Sequence, residues 1–488
     1  MQPYEVALCK GEADYPTLEP YHPDNVFPEH VSLREKAESV NHAYGIVRNA
    51  LLLLGLDKAR FGQPDWNPLG ELINPGDHVL IKPNFISQSH STRLDEWEQV
   101  ITHPAVIRAV LDYVFIALQG RGKVTIADGP QTDSDFDEIV RRTRLLEVVS
   151  FFRDKGLHID LLDLRPEHWL QKDGITYRRE TLHGDPAGYV NVSLDDYSEF
   201  GSYRLSGRFY GADWGMAETR MYHSNGRHAY VLSRTAMEAD VVINIPKMKT
   251  HKKTGVTLSL KNMVGINGNR NCLPHHTIGT PTQQGDEFPT SDFAHALQSG
   301  AITAFKRFMH LKGSLGGPGS RAITKIGRLI FGDTDRVVRS GNWFGNDTAW
   351  RMVLDLNKAL FHFDASGGRR KAPLRYLTIV DGIVAGEGNG PVSVDEKRVG
   401  LIVAGFNPVA VDTVCAAIMG FDYRKIPLLA NAWLIRDLPL AEFPVENVRS
   451  LSNVAGWTGS FDDLQAAPHL AFRPFFGWKG HIERPSPV

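Results

Sequence analysis

Apolar residues along this chain fall into two recurring patterns. Short continuous runs bounded by glycine, proline or charge read as buried strands: DHVLIK at Asp77–Lys82, KVTIA at Lys123–Ala127, VVINI at Val241–Ile245, YLTIV at Tyr376–Val380 and GLIVA at Gly400–Ala404. Between them lie segments with helical spacing. Ser32-Leu33-Arg34-Glu35 fits a capping box and predicts a helix reaching Leu54, closed by Gly55. Pro104 suits the first turn of a helix ending near Leu118, and Pro408 opens another ending near Met419. Strand, helix and strand across 77–127, with short joints, make a βαβ unit, so its two strands are parallel. Tyr177–Leu205 alternates polar and aromatic residues as antiparallel strands do. The pattern predicts an α/β fold, with an open, mostly parallel sheet, flanking helices, an irregular antiparallel insertion and a helical insertion. The segments divide as 1–160, a first α/β half; 161–300, the insertion with a central strand and a basic loop; 301–345, a basic helical insertion; and 346–488, a second α/β half with a C-terminal tail.

The strand ends carry the first functional signal. Lys82-Pro83-Asn84, Asp128-Gly129-Pro130, Pro246-Lys247 and Asp381-Gly382 each follow an apolar run. Ligands of open α/β sheets bind outside the carboxyl ends of the strands. Four such endings predict one cleft lined by Lys82, Asp128, Lys247 and Asp381; the plainer alternative is four ordinary loop starts.

Charge sharpens this picture. The 488 residues hold 54 Lys+Arg against 56 Asp+Glu, a net charge of −2, so no overall field draws the chain to nucleic acid and charge acts locally. Val241–Gly285 contains Lys247, Lys249, Lys252, Lys253, Lys261 and Arg270 with His251, His275 and His276, and no acidic residue. Glycines and threonines interleave with these cations, which suits close approach to a phosphate or carboxylate. The alternative is a solvated basic face. No GxxxxGK[ST] occurs, so a nucleotide triphosphatase has no motif here. Asp381–Pro391 (DGIVAGEGNGP) reads as a glycine-rich acidic loop whose Glu387 would repel a pyrophosphate and suits a cation or a sugar hydroxyl. His275-His276 followed by Asp286-Glu287 offers metal ligands or an acid/base pair. His223, His228 and Cys272 are weaker candidates.

Three scattered cysteines, with no CxxC, exclude a locally built iron–sulfur or zinc site and suit a reducing cytoplasm. No apolar run approaches the length of a membrane span, and no signal peptide is read. Ala304–Phe331 alternates six cations with apolar residues and no acid, which fits two basic amphipathic helices, either packed on the protein or lying at a membrane surface.

Several of these motifs are familiar. VLIKPNF at Val79–Phe85, Thr102-His103-Pro104, Ala127–Pro130, NIPKMKTH at Asn244–His251, TGVTLSLKN at Thr254–Asn262, Asp381-Gly382 and NPVAVD at Asn407–Asp412 resemble the bacterial and archaeal family called domain of unknown function 362, over roughly 75–430. Pro274–Pro289 and Ser340–Asn357 look like a branch seen beside polysaccharide-biosynthesis functions. Many relatives carry a ferredoxin-like module with repeated CxxCxxC; this chain lacks it, so no iron–sulfur cluster is expected. A fainter similarity links the Pro-Lys-x-Lys-x-His pattern to nickel-dependent lactate racemases, but the spacing does not carry that chemistry across.

The expectation is an enzyme acting on an anionic small molecule, phosphorylated, nucleotide-linked or carboxylated, with a divalent metal as the candidate cofactor. Lys82, Asn84, Lys247, Lys249, Lys261 and Asn262 are assigned to the anion, with Lys247 and Lys261 read as exposed contacts. His251, His275 and Asp128 are the proton-transfer candidates, and Asp381, Glu387 and His276 the metal ligands. A non-catalytic anion-binding protein and a peripheral membrane component handling a lipid-linked intermediate are the alternatives.

Overall fold

Val79, Ile81, Val124, Ile126, Val241, Ile243 and Ile245 are inaccessible to solvent, and so are the intervening Leu80 and Val242, so the strands that carry them are covered on both faces. The computed structural model describes residues 2–172, 175–203, 207–211, 216–291, 295, 298–300 and 337–485. Among these, eleven strands form one sheet: β1 (Glu5–Lys10), β2 (His78–Pro83), β3 (Lys123–Asp128), β4 (His158–Asp163), β5 (Val241–Ile245), β6 (Lys247–His251), β7 (Gly255–Thr257), β8 (Arg375–Asn389), β9 (Ser393–Gly405), β10 (Arg449–Ser452) and β11 (Gly459–Ser460). The order is β11-β10-β1-β9-β8-β5-β2-β3-β4, with β6 running along β8 and β7 folded back on β6.

From β8 through β5, β2 and β3 to β4 every pairing is parallel, whereas β8–β9 and β9–β1 are antiparallel. The sheet is therefore mixed and mostly parallel within an α/β fold, and strands from both ends of the chain share it. Helices α1 (His42–Leu53), α2 (Pro104–Leu118) and α3 (Leu145–Asp154) cover one face, where Val79, Ile81, Val241 and Ile243 point. Helices α4 (Ala349–His362) and α5 (Pro408–Met419) pack on the other, with Leu80 and Val242. Small antiparallel ribbons lie outside the sheet: Glu167–Lys172 with Ile175–Thr181, and Tyr189–Ser193 with Arg227–Ser233.

Two sequence expectations are corrected. The first helix starts at His42, not at Leu33, because Asn41 caps it by accepting from the Tyr44 N–H; Glu35 is turned away in an ion pair with Lys155. The glycine-rich stretch after Asp381 is no loop. It is the second half of the long strand β8, which β6 joins in parallel. Its glycines admit neighbouring backbone: a Cβ on Gly386 would lie 2.9 Å from the Gln99 carbonyl, and one on Gly390 only 1.7 Å from that of Thr250. Ala304–Phe331, the predicted amphipathic segment, lies outside the described residues.

Candidate functional site

The parallel run places the ends of β2, β3 and β5 at one edge of the sheet, and β6 continues from β5 after Pro246. Two buried ion pairs form there. Lys82 Nζ lies 2.6 Å from Asp128 Oδ1, and Asp128 also accepts from the N–H of Gly129 at 2.8 Å and of Phe85 at 2.6 Å. A Cβ on Gly265 would sit 1.8 Å from Asp128 Oδ1, so only glycine lets that backbone pass over the pair. Lys247 Nζ lies 2.9 Å from Asp381 Oδ2 and donates to the Tyr15 hydroxyl at 2.8 Å, which in turn donates to Asp381 Oδ1 at 2.5 Å. The His103 N–H adds a further donor to Asp381 at 2.9 Å, and its ring stacks on Tyr15 at 3.8 Å.

Lys82 and Lys247 are thus not exposed anion contacts. Both are wholly buried and already hold carboxylates. Burial draws both pKa values below the ordinary lysine value, and the partnering aspartates oppose that pull. Lys249 is equally buried but pairs with no carboxylate among the described residues; its Nζ donates to Asn84 Oδ1 at 3.1 Å and to the Val100 carbonyl. Burial, with the Lys247 and Lys261 charges, pushes its pKa well down, toward a neutral amine. A relay of amides fixes this arrangement: Asn84 Nδ2 donates to Asn262 Oδ1 at 2.9 Å, and Asn262 Nδ2 to Asn244 Oδ1 at 2.7 Å. Asn84 and Asn262 therefore orient one another and the Lys249 amine within one buried hydrogen-bonded network.

Beside these groups a small recess of about 40 Å³ is lined by Asn84, Asp128, Lys249, His251, Lys261 and Arg270, among others. Its volume suits one small polyatomic group. It adjoins a cavity of about 700 Å³, which shares His251, Lys261 and Arg270 with it and adds Lys252, Lys253 and His275. The side chain of Lys261, on the short helix Ser259–Asn262, makes no hydrogen bond or ion pair with any described residue, and burial with the Arg270 and Lys82 charges lowers its pKa to about 7. Arg270 donates to the Gly129 and Pro130 carbonyls but meets no carboxylate among the described residues, and burial lowers its pKa to about 10. The single carboxylate in the recess, Asp128, is already held by Lys82.

Two histidines face the cavity in opposite tautomers. His251 Nδ1 accepts from the N–H groups of Lys253 (3.1 Å) and Thr254 (3.3 Å), so Nε2 carries the proton. His275 Nδ1 lies 2.8 Å from the Leu273 carbonyl and must donate to it, leaving Nε2 as a bare acceptor. Burial first, then nearby lysines, keeps both neutral; the His275 pKa falls to about 3.

The expected metal ligands do not converge. Asp381 is engaged as described. Glu387 pairs with Arg473 at 2.7 Å and Lys397 at 3.1 Å, on the distal part of β8. His276 packs on Tyr210 with ring centroids 5.0 Å apart. Asp286 and Glu287 serve local structure: Asp286 accepts from Thr277, Asp347 and Thr348, and Glu287 from Ser299. No cluster of three His, Cys, Asp or Glu suited to a metal occurs among the described residues. His223 and Cys272 are buried, with His223 Nε2 donating to the Cys272 carbonyl at 2.7 Å. Tyr15 carried no sequence signal; His103 and Arg270 stood in a family motif and in the basic stretch, but no local pattern gave the first as a partner of Asp381 or the second as a cation without an ion-pair carboxylate among the described residues.

A family model described as domain of unknown function 362 matches residues 79–182 and 209–417, which takes in β2, β3, β5, β6 and the site between them. The chain belongs to this family. It is also 23% identical over 386 residues, 78% of this chain and 76% of the relative, to a thylakoid-associated protein of Synechocystis sp.. No described helix is long and apolar enough to cross a membrane.

Proposed function

We propose that this family member is an enzyme acting on a small anionic molecule, phosphorylated or carboxylated, bound where the recess opens into the larger cavity. The observation that carries the reading is uncompensated cationic potential: Arg270, and Lys261 in its protonated form, line the recess with no ion-pair carboxylate among the described residues. An anion there would supply the missing partner, and binding energy would come from groups already in place. His275 Nε2 is the hydrogen-bond acceptor and His251 Nε2–H the hydrogen-bond donor, so the two rings orient a ligand hydroxyl or carbonyl by opposite hydrogen bonds. A phosphorylated or nucleotide-linked sugar, as polysaccharide biosynthesis uses, falls within this class. The test is calorimetric titration with a panel of phosphate esters and carboxylates, followed by a turnover screen by NMR. Lys261→Met should abolish binding, and His275→Ala should retain binding and lose turnover. Tight binding with no turnover of any member would favour the non-catalytic carrier instead.

A second reading concerns location. The Synechocystis relative is named for its thylakoid association, and Ala304–Phe331 combines six cations with apolar residues. That composition suits reversible attachment to an anionic lipid surface, at about 1 kcal/mol per basic residue near the surface. Flotation of the full chain with anionic liposomes tests it; absence from the floated fraction at low salt would remove it.

A further inference from the structure

We propose that Lys261 forms an imine with a small carbonyl compound that carries a carboxylate or phosphate. The inference rests on the anion-binding reading of the same cavity and names its substrate class. Four lysines crowd this edge of the sheet, and three are committed. Lys82 and Lys247 hold Asp128 and Asp381, and the Lys249 amine is spent on Asn84 and the Val100 carbonyl. Lys261 has no such partner among the described residues and lines both the recess and the cavity outside it. Of these four amines it is the one that also lines the larger cavity, where a ligand carbonyl can reach it.

The surroundings suit that chemistry. Burial and the charges of Arg270 and Lys82 hold the Lys261 pKa at about 7, so a substantial fraction is free amine near neutral pH. Arg270 remains cationic there and supplies a charge for the ligand's anionic group. The His251 Nε2–H, in the same recess, is a donor for the carbonyl oxygen. The recess admits only a small group, whereas the adjoining space takes the remainder of the ligand.

The step balances without any further reagent. The neutral amine adds to the carbonyl carbon, forming the C–N bond, and the proton lost by nitrogen passes to the carbonyl oxygen to give a carbinolamine. Departure of water breaks the C–O bond and leaves C=N. Nothing is oxidised or reduced.

Borohydride trapping tests this on the full chain. The protein is incubated with pyruvate, dihydroxyacetone phosphate or uncharged dihydroxyacetone, reduced, and mapped by peptide mass. A single adduct on the peptide holding Lys261 is expected. Dihydroxyacetone phosphate should label at about tenfold lower concentration than its uncharged analogue, the worth of one charge-assisted contact. Inorganic phosphate should protect, and Lys261→Arg, with its folding checked by circular dichroism, should give no adduct; Lys261→Met serves if the arginine variant does not fold. Labelling spread over other lysines, or unchanged in the Lys261 variants, overturns the proposal. Calorimetry with phosphate separates the two readings. Phosphate binding that is lost in Arg270→Gln, with no adduct on Lys261, overturns the imine and leaves the anion site standing; no phosphate binding and no adduct removes both.

Discussion

Replacing Lys261 by methionine should stabilise the protein while abolishing anion binding. The ammonium form of Lys261 is disfavoured by burial and by the Arg270 and Lys82 charges, which bring its pKa from 10.5 to about 7. Below pH 7 the lysine is protonated in the folded and unfolded states alike, so the folded state bears the whole cost. Between pH 7 and 10.5 the unfolded chain binds a proton that the folded one does not, so stability rises with pH across this window; above it the two states are equally neutral. At about 1.4 kcal/mol per pH unit the ceiling is about 5 kcal/mol. Lys261 is only partly buried, so solvent screens part of that cost, and about 1–3 kcal/mol is the expected gain in the variant at pH 6. Urea unfolding of wild type and Lys261→Met in phosphate-free buffer, at pH 6, 8 and 10, measures it. The difference should be largest at pH 6 and shrink toward pH 10. A variant no more stable than wild type at pH 6, or a difference independent of pH, would show that the Lys261 charge is well solvated and would refute the reasoning. Such a trade of stability against binding is what a site built for an absent charge implies.

The remaining predictions follow the same network. Asp128→Asn should cost about 3–5 kcal/mol in urea unfolding, because it strands the buried Lys82 ammonium. Gly265→Ala should lower the melting temperature and weaken phosphate binding together, since its Cβ would meet both Asp128 and Lys82 Nζ, at 1.8 and 2.6 Å; a melting temperature like that of wild type would contradict the packing described. Tyr15→Phe leaves Lys247 and Asp381 in contact but removes the hydroxyl joining them, at a cost of about 1–3 kcal/mol read from the urea midpoint. Anion binding at pH 8 should take up protons, because a negative charge raises the lowered Lys261 pKa; titrations in buffers of different ionisation enthalpy should then give different apparent heats.

The strands at 78–83, 123–128 and 241–245 and the helices at 104–118 and 408–419 were legible in the sequence because each is either a continuous apolar run or a helix opened by proline. Those periodicities, with the βαβ spacing, determined the mostly parallel sheet, and the polar residues at its strand ends marked the edge beside the candidate site, although of the four only Asp128 lines the recess and Lys82, Lys247 and Asp381 are buried in ion pairs. Local pattern could not decide which cation holds which anion. Lys82, Lys247, Lys249 and Lys261 look alike along the chain, yet two are neutralised by aspartates from β3 and β8, one is held as an amine by Asn84, and one is left open. Their roles depend on partners up to 134 residues away for the Lys247–Asp381 pair and 165 for Lys249–Asn84. The glycines after Asp381 failed as a loop signal for the same reason: their small size serves contacts with Gln99 and Thr250, which only the assembled sheet brings near. The sequence by itself determined where polar chemistry gathers; tertiary packing alone decided which charges are cancelled, because burial and pairing, not residue type, set what a lysine can do.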